Sequence, residues 1–210
     1  MLLAGGSTDG HARVFSAFVK GIDERPEPNV WGERVPFGTV CGEFLNNTAG
    51  WVHGCSFAPS GDALAFVAHD SSITIVYPSG PEQPPQAVIS VATHFLPFTS
   101  LIWSSESQIV AAGYDCEPHK FEGSVSGWTH AGTLDASAKA TNGGFKEESA
   151  LNMFRQLDLK GKSAGSRDDT KLQTVHQNTI STVRVFAQSG GKISRFSTSG
   201  VDGRVVVWKV

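Results

Sequence analysis

The sequence predicts an all-β fold built from repeated units of short strands, and two observations support this prediction. Asp202 follows an apolar run, and an aromatic residue, Trp208, stands six residues after it. The same pattern recurs upstream in Asp9 with Phe15 and in Asp115 with Phe121, and a degenerate copy pairs Asp70 with Val76, where an aliphatic residue takes the aromatic place. Each copy indicates a strand, a tight turn that contains the Asp, and a second strand. A repeat of this kind sets the architecture of the whole chain.

The spacing of the turn Asp residues indicates the length of the repeat. Successive intervals are 61 residues (9 to 70), 45 residues (70 to 115) and 87 residues (115 to 202), so one unit is about 45 residues long. Four short strands in about 40 to 45 residues are typical of a WD-repeat β-propeller blade. We therefore predict a partial WD-repeat β-propeller over residues 1–210, in which insertions lengthen two of the intervals.

The strand that opens each later unit has apolar residues at relative positions 0, 3 and 5. This spacing occurs at Val52, Cys55 and Phe57, and it recurs from Phe98 and from Ile180. Turn-forming residues follow in each case, and then comes the apolar strand that leads to the turn Asp. The pattern thus predicts strands on both sides of every turn, as a propeller blade requires.

The first unit begins at the strand that precedes Asp9. Residues 11–19 are predicted to supply two further short strands of this unit. Residues 21–38 contain three prolines and three glycines. This content of strand-breaking residues predicts an irregular loop that interrupts the repeat.

The longest interval contains an insertion at about 134–172 that is rich in Ala, Ser, Gly and Lys. Residues 147–160 stand out within it, because acidic residues begin the segment, a basic residue ends it and apolar residues lie between. This pattern predicts one short amphipathic α-helix. Its apolar side suits the hydrophobic groove of a partner, and packing on the flank of its own propeller is the alternative. The residues predicted to bind a partner are Leu151, Met153, Phe154 and Leu157.

Composition and charge are those of a soluble globular protein. Of the 210 residues, 40% are hydrophobic and 18% are charged, and the formal net charge is -3. This balance gives no electrostatic reason to expect nucleic acid or an anionic membrane as a partner. No apolar run reaches the roughly eighteen residues of a spanning helix, and residues 1–15 lack the pattern of a secretory leader. A soluble intracellular protein is expected.

Common catalytic motifs are absent from the sequence. It contains no G-x-x-x-x-G-K-[ST] loop, no G-x-G-x-x-G after a strand and no H-E-x-x-H. An enzyme that uses His53, His69 and Asp70 near one face is one hypothesis. Adjacent residues on a tight turn do not easily hold a Ser-His-Asp geometry, however, so we expect that the chain is not an enzyme.

Cysteine and histidine positions bear on redox state and metal binding. The three cysteines are odd in number and widely spaced, which indicates reduced thiols rather than a disulfide framework. Cys116, His119 and His130 raise the question of a metal site. Structural zinc sites require four ligands at recognisable spacings, and this set does not supply them. We expect no metal and no cofactor.

The turn Asp residues are predicted to have a structural role. In a propeller blade, such an Asp can accept hydrogen bonds from amides of its own turn and from a His at the entry of the blade. That His can reach a Thr or Ser and the Trp indole, so the network satisfies buried polar groups. Asp115 with His94 is predicted to form a partial version, and Asp9 and Asp70 are the turn residues of the other units. The last unit supplies a complete set, namely His176, Thr198, Asp202 and Trp208.

Several loop motifs are more specific than the repeat. They are Arg25-Pro26-x-Pro28-x-x-Trp31-Gly32, Pro36-Phe37-Gly38, Gly50-Trp51-Val52-His53-Gly54, Ala68-His69-Asp70-Ser71, Ala111-Ala112-Gly113-Tyr114-Asp115-Cys116 and Phe154-Arg-Gln-Leu-Asp158. Together these motifs resemble the WD-repeat subunit, subunit 1, of the actin-related protein 2/3 complex. The resemblance covers essentially the whole chain.

This resemblance implies a non-catalytic scaffold subunit of an assembly that nucleates a daughter actin filament on the side of a mother filament. It implies other subunits of that complex and the actin filament as partners, and the cytoplasm and actin cytoskeleton as the location. In the family, the insertion helix is associated with actin contacts, and Leu151, Phe154 and Leu157 match it here. A general WD-repeat adaptor that recruits a protein or peptide is the alternative. The loop motifs favour the first hypothesis, because an adaptor needs only the repeats.

The family implies a ring of seven blades, whereas the repeats here account for about three and a half. We therefore expect this chain to be the C-terminal part of a longer propeller. Its open side would expose strand edges and apolar faces, which favour aggregation. Soluble monomeric expression with a sharp cooperative melt would count against this expectation.

Overall fold

The computed structural model describes residues 1–24, 27–33, 35–81, 83–135, 172–189 and 192–210. Within these ranges, fourteen strands form four antiparallel sheets, and no helix is found. The predicted helix at 147–160 lies outside the described residues. The described structure is all-β and is consistent with a β-propeller-like WD fold, as the repeat predicted.

Consecutive strands pair within each sheet. The first sheet contains β1 (Leu2–Gly6), β2 (His11–Ser16) and β3 (Val40–Leu45). The second contains β4 (Val52–Phe57), β5 (Leu64–Ala68), β6 (Ser72–Tyr77) and β7 (Ala87–Ala92). The third contains β8 (Phe98–Ser105), β9 (Gln108–Gly113), β10 (Pro118–Ser124) and β11 (Gly127–Thr133). The fourth contains β12 (Ile180–Ser189), β13 (Lys192–Gly200) and β14 (Val205–Lys209).

The sheets follow one another side by side. β1 contacts β4, β4 contacts β8, and β8 contacts β12, so the first strand of each sheet lies against the first strand of the next. In the two four-stranded sheets, the turn Asp lies between the second and third strands. β1 directly precedes its turn Asp and is therefore equivalent to β5. β14 directly follows its turn Asp and is therefore equivalent to β6.

Apolar side chains fill the space between neighbouring sheets. β5 and β9 are buried on both faces, which explains their continuous apolar sequence. Leu64 and Phe66 of β5 pack toward the first sheet, whereas Ala65 and Val67 pack toward the third. Ile109 and Ala111 of β9 extend the same central core, and their neighbours Val110 and Ala112 contact the fourth sheet. The sheets are therefore joined mainly by side-chain packing.

The first sheet differs from the prediction for residues 11–19. Only one strand, β2, forms there, and the third strand of the sheet, β3, follows the proline-rich loop. The loop thus interrupts the sheet itself. Trp31 anchors it, because its ring is buried with edge contacts to Phe44 and Phe57 and its Nε1 donates to the Gly61 carbonyl at 2.7 Å. Burial of this ring offsets the cost of ordering a long connection.

The four turns that contain the Asp residues share one backbone geometry. In each, the amide of the residue after the Asp donates to the carbonyl three residues earlier, at 3.1–3.3 Å. That residue has a positive φ of 84° at Gly10, 65° at Ser71, 65° at Cys116 and 77° at Gly203. This is the arrangement of a type I turn followed by a left-handed residue, in which Gly is favoured. Two of the four turns therefore hold a non-glycine residue in a strained conformation.

The Ser71→Gly substitution is expected to raise the free energy of unfolding by about 0.5–1 kcal/mol. The left-handed conformation costs an L-residue about 1–2 kcal/mol, which exceeds the extra chain entropy that Gly loses on folding. Ser71 accepts a hydrogen bond from Thr93 through its backbone carbonyl, which Gly retains. Urea unfolding measures the change.

Ser79→Gly is the matched control, because Ser79 is exposed and does not have a positive φ. This change is expected to leave stability unchanged or to lower it by up to about 1 kcal/mol. An equal effect of both substitutions would contradict the assignment of strain to Ser71.

Candidate functional site

The four tight turns, residues 7–10, 68–71, 113–116 and 200–203, carry the marked Asp side chains. We call the surface that these turns form the turn face. The first and second units are linked there, since the Val52 amide donates to the Ser7 carbonyl, and within the second unit the His69 amide donates to the Trp51 carbonyl. The rings of His69 and Tyr114 lie 6.4 Å apart, centroid to centroid, and join the second and third sheets. Most of the sequence-predicted polar residues lie on or below this surface.

In the fourth sheet, the structure brings His176, Thr198, Asp202 and Trp208 together. His176 Nδ1 lies 3.2 Å from both carboxylate oxygens of Asp202, and His176 Nε2 lies 2.7 Å from Thr198 Oγ1. Trp208 Nε1 donates to the same hydroxyl at 2.7 Å. His176 and Thr198 are buried. The four side chains thus form one connected chain from β14 to the turn.

Donor and acceptor chemistry fixes the direction of this chain of hydrogen bonds. The Asp202 carboxylate only accepts, so a neutral His176 must carry its proton on Nδ1. His176 Nε2 then accepts from the Thr198 hydroxyl, whose oxygen accepts from Trp208 Nε1. Burial raises the pKa of Asp202, but hydrogen bonds from the amides of Gln177 and Arg204 and from His176 outweigh it and lower the pKa to about 2. Every buried polar atom of these four side chains has a hydrogen-bond partner, which is what a structural role requires.

In the second sheet, a different set of residues surrounds the turn Asp. Asp70 accepts from Asn46 Nδ2 at 3.0 Å and from Thr48 Oγ1 at 2.6 Å. It also accepts from both the amide and the hydroxyl of Ser72. Burial raises the pKa of Asp70, but these hydrogen bonds outweigh it and the pKa is lowered. Thr48 was not predicted as a partner of Asp70. It stands four residues before the strand residue Val52, the same offset as His176 before Ile180, and this spacing could have identified it.

In the first sheet, Asp9 is bound by a partly buried Arg rather than by a buried His. Arg13 Nη1 lies 2.8 Å from Asp9 Oδ2, and the His11 amide donates to Asp9 Oδ1 at 3.0 Å. The Arg13 hydrogen bond, followed by that of the His11 amide, holds the pKa of Asp9 well below its usual range. Arg13 also pairs with Glu43 of β3.

Asp115 of the third sheet has the poorest hydrogen bonding of the four turn Asp residues. Within the described part of the chain, its carboxylate receives one hydrogen bond, from the Leu96 amide at 2.8 Å. His94, the predicted partner, is exposed and makes no hydrogen bond to Asp115 there. The ring of His119 lies close to it, with Nε2 3.9 Å from Asp115 Oδ2. Burial raises the pKa of Asp115, and the single amide only partly offsets this effect.

Below Asp115, two histidines form a pair in the core. His119 is fully buried and its Nδ1 lies 3.2 Å from Nε2 of His130. Nε2 of His119 has no hydrogen-bond partner among the described residues, and the carboxylates of Asp115 and Glu117 both lie 3.9 Å away. Burial, and to a lesser extent the nearby His130, lowers the pKa of His119 to about 3. His119 is therefore held in its neutral form.

The sequence offers Cys116, His119 and His130 as candidate metal ligands. Among the described residues, no group of three or more His, Cys, Asp or Glu side chains is placed to hold a metal ion. Cys116 Sγ instead lies 3.4 Å from the Tyr114 carbonyl, to which it can donate. Burial, and then the nearby Asp115, raises the pKa of its thiol, which keeps the thiol protonated.

An exposed cluster of aromatic rings lies on the turn face, and the sequence did not predict it as a cluster. The ring of Trp51 lies 5.6 Å from that of His69, which also contacts His53 at 5.1 Å and Tyr114 at 6.4 Å. His53 Nε2 and His69 Nδ1 share a hydrogen bond of 2.9 Å. The hydrogen bonds of Asp70 go to other residues, so it does not orient His69 as a catalytic triad would require.

The predicted insertion helix and the question of a membrane span are the remaining points from the sequence. Leu151, Met153, Phe154 and Leu157 lie outside the described residues, so the partner-binding helix stays a prediction. In the part of the chain that the structure describes, there is no helix with the length and hydropathy needed to cross a membrane.

The chain is similar over nearly its whole length to curated proteins named actin-related protein 2/3 complex subunit 1. It is 47% identical to the protein of this name from Schizosaccharomyces pombe over 222 residues, which is 99% of this chain and 58% of that protein. It is 38% identical to subunit 1A-A from Xenopus laevis, with 99% of this chain and 54% of that protein covered. It is 33% identical to subunit 1 from Saccharomyces cerevisiae, with 100% and 57% covered. The chain thus spans between half and two thirds of the length of these relatives.

Comparisons with family models and with solved structures add information on the fold alone. No family model matches the chain. Among solved structures, it is similar to a chain of the crystal structure of a mitotic checkpoint complex, with a TM-score of 0.58 and 16% identity. That similarity covers 100% of this chain and 45% of the other, and at this identity it concerns the fold alone.

Proposed function

We propose that this chain is part of subunit 1 of an actin-related protein 2/3 complex, where it acts as a non-catalytic scaffold. The observation that carries the proposal is the 47% identity over 99% of the chain to a protein with that name. The described structure is compatible with it, because its four antiparallel sheets are those expected of a WD-repeat protein. The proposal places the protein in the cytoplasm with the actin cytoskeleton.

The proposed partners are the other subunits of the complex and the actin filament. The flat surfaces of the propeller, where the turns lie, are the proposed docking sites for subunits, and the segment at 147–160 provides the actin contact. Its sequence supports this role, since Leu151, Phe154 and Leu157 recur at the spacing of one helical face. The contact lets the complex support nucleation of branched actin filaments.

A double substitution in the insertion tests this function. The chain is tagged at its own chromosomal locus and captured from cells, as the wild type and with Phe154→Ala plus Leu157→Ala. We expect the captured complex to keep its subunits and to lose a large part of its branched nucleation, because the apolar contact with actin is removed. Subunit recovery and the rate of branched actin assembly are the two measurements.

A matched control changes the opposite side of the same predicted helix, with Asn152→Ala plus Gln156→Ala. These polar residues are expected to be dispensable for both measurements. Recovery of no actin-related protein with the wild type would overturn the assignment to this complex. Equal nucleation by all three forms would overturn the role of the helix alone.

The second candidate function is that of a general adaptor that recruits a protein partner, as propellers host many unrelated roles. The exposed cluster of Trp51, His69 and Tyr114 favours it, because aromatic side chains on a surface are typical of contact sites. In the capture experiment, this function predicts one stable partner outside the actin-related proteins.

A further inference from the structure

The central part of the turn face has an exposed apolar surface beside a carboxylate that pairs with no Lys or Arg of the described ranges. We call it the turn-face patch, and it consists of Trp51, His69, Leu96, Tyr114 and Asp115. Trp51, Leu96 and Tyr114 expose 54%, 55% and 41% of their surface. His69 contacts both aromatic rings, which joins the second and third sheets, and the Leu96 amide donates to Asp115, the residue after Tyr114. Large exposed apolar side chains that lie together mark interaction sites more often than scattered ones do.

The carboxylate of this patch differs from those of the other turns. Asp202 accepts from two amides and a buried His, and Asp70 accepts from three residues of its own surroundings. Asp115 is half-buried and receives one amide hydrogen bond from within the described residues. A half-buried carboxylate with so few donors is stabilised by an added positive charge. The raised pKa of Asp115, caused first by its burial, points in the same direction.

The distribution of basic residues adds to this argument. At the outer turns, Arg13 pairs with Asp9 and the Arg204 side chain lies 3.9 Å from Asp202. Within the described residues, no Lys or Arg makes an ion pair with Asp70 or Asp115. Among the described residues, the two central turns therefore present carboxylates and ring faces that no Lys or Arg side chain pairs with. Ring faces attract cations, and a guanidinium group both stacks on aromatic rings and binds carboxylates through two parallel hydrogen bonds.

We propose that the turn-face patch binds an arginine side chain from an extended segment of a partner protein. The guanidinium group pairs with Asp115 and lies against the exposed rings, and apolar neighbours of the arginine cover Leu96. This assignment uses only described residues, and it goes beyond the proposed scaffold role. Arginine binding at this patch does not depend on whether the protein is a subunit of the complex or a general adaptor. Loss of actin nucleation and loss of patch binding are therefore separate outcomes.

A titration of the complete chain with short peptides tests the proposal. The probes are a capped Gly-Leu-Arg-Leu-Gly peptide, the same peptide with neutral citrulline in place of arginine, and a version with glutamate. The readout is the NMR signal of the Trp51 indole N–H, identified by its loss in Trp51→Phe. We expect the arginine peptide to bind up to about fivefold more tightly than the citrulline peptide, which is the preference that one surface charge pair provides.

Substitutions then locate the contact. Asp115→Asn is expected to abolish the preference for arginine over citrulline, whereas Asp62→Asn is expected to keep it. Asp62 is the matched control, because it is an exposed Asp at the opposite end of β5. Leu96→Ser, a second variant outside the hydrogen-bonded turn, is expected to weaken the arginine and citrulline peptides alike. Equal binding of arginine and citrulline to the wild type, or tighter binding of the glutamate peptide, would overturn the proposal.

Discussion

Replacing Thr198 by Val is expected to lower the free energy of unfolding by about 2–4 kcal/mol. The Thr198 hydroxyl accepts from Trp208 Nε1 and lies 2.7 Å from His176 Nε2, and all three groups are buried. Valine has nearly the same shape, so the substitution leaves little cavity but removes both hydrogen bonds. Each buried polar group that loses its partner costs about 1–3 kcal/mol, because water cannot replace the lost bond.

The matched control for this prediction is Thr198→Ser, which keeps the hydroxyl and removes one methyl group. It is expected to cost no more than about 1 kcal/mol. Urea unfolding of the two variants and the wild type, followed by the fluorescence of the tryptophans, measures the difference. If Thr198→Val is as stable as Thr198→Ser, the chain of hydrogen bonds from Trp208 to Asp202 does not contribute to the stability of the fourth sheet.

The repeat could be predicted from the sequence because its signal is local. A turn with a left-handed residue after an Asp, flanked by apolar strands, is set by neighbouring residues. Asp9-Gly10 and Asp202-Gly203 have the Gly that this left-handed position favours. The other two turns lack the Gly and could be recognised by their spacing in the repeat. The alternation of buried faces along β5 and β9 then sets which sheet each side chain contacts.

The hydrogen-bond partners of the turn Asp residues were harder to predict, because they come from distant parts of the chain. His176 and Asp202 are 26 residues apart, and their pattern was recognisable because each residue type is specialised. In the second unit, Asn46 and Thr48 supply the hydrogen bonds that a His supplies in the fourth. Small polar residues are common in loops, so their types alone do not indicate this role.

The turn-face patch could not be predicted for a related reason. The residue before each turn Asp is Thr8, His69, Tyr114 or Val201, and no shared residue type marks these positions. Their exposure follows from the turn geometry, and their grouping follows from the packing of one sheet against the next. A sequence pattern reports contacts along one strand pair more readily than contacts between sheets.

Stability below neutral pH is expected to depend on His119. Its ring is fully buried against Phe95 and Phe98, with ring centroids 4.2 Å and 5.4 Å away. The pKa of about 3 in the folded chain lies below the value of 6.5 for the unfolded chain. The unfolded state therefore binds a proton that the folded state does not, and the stability present above pH 6.5 is lost as the pH falls toward 3.

The expected loss from this one group is about 1.4 kcal/mol per pH unit below 6.5, or up to about 3 kcal/mol between pH 6.5 and pH 4. The half-buried His130 adds to the loss, because burial lowers its pKa as well. Asp115 and Glu117 act in the opposite direction, since burial raises their pKa values. The contribution of His119 is therefore measured as a difference between the wild type and a variant.

The His119→Leu substitution removes the proton site and fills the same apolar volume beside Phe95, Phe98 and Phe121. Urea unfolding at several pH values between 7 and 4 is expected to show a flatter pH dependence for this variant than for the wild type. His94→Gln is the control, because His94 is exposed, and it should keep the wild-type slope. Parallel pH profiles for wild type and His119→Leu would mean that the folded chain takes up a proton at His119, so that burial does not hold the ring neutral.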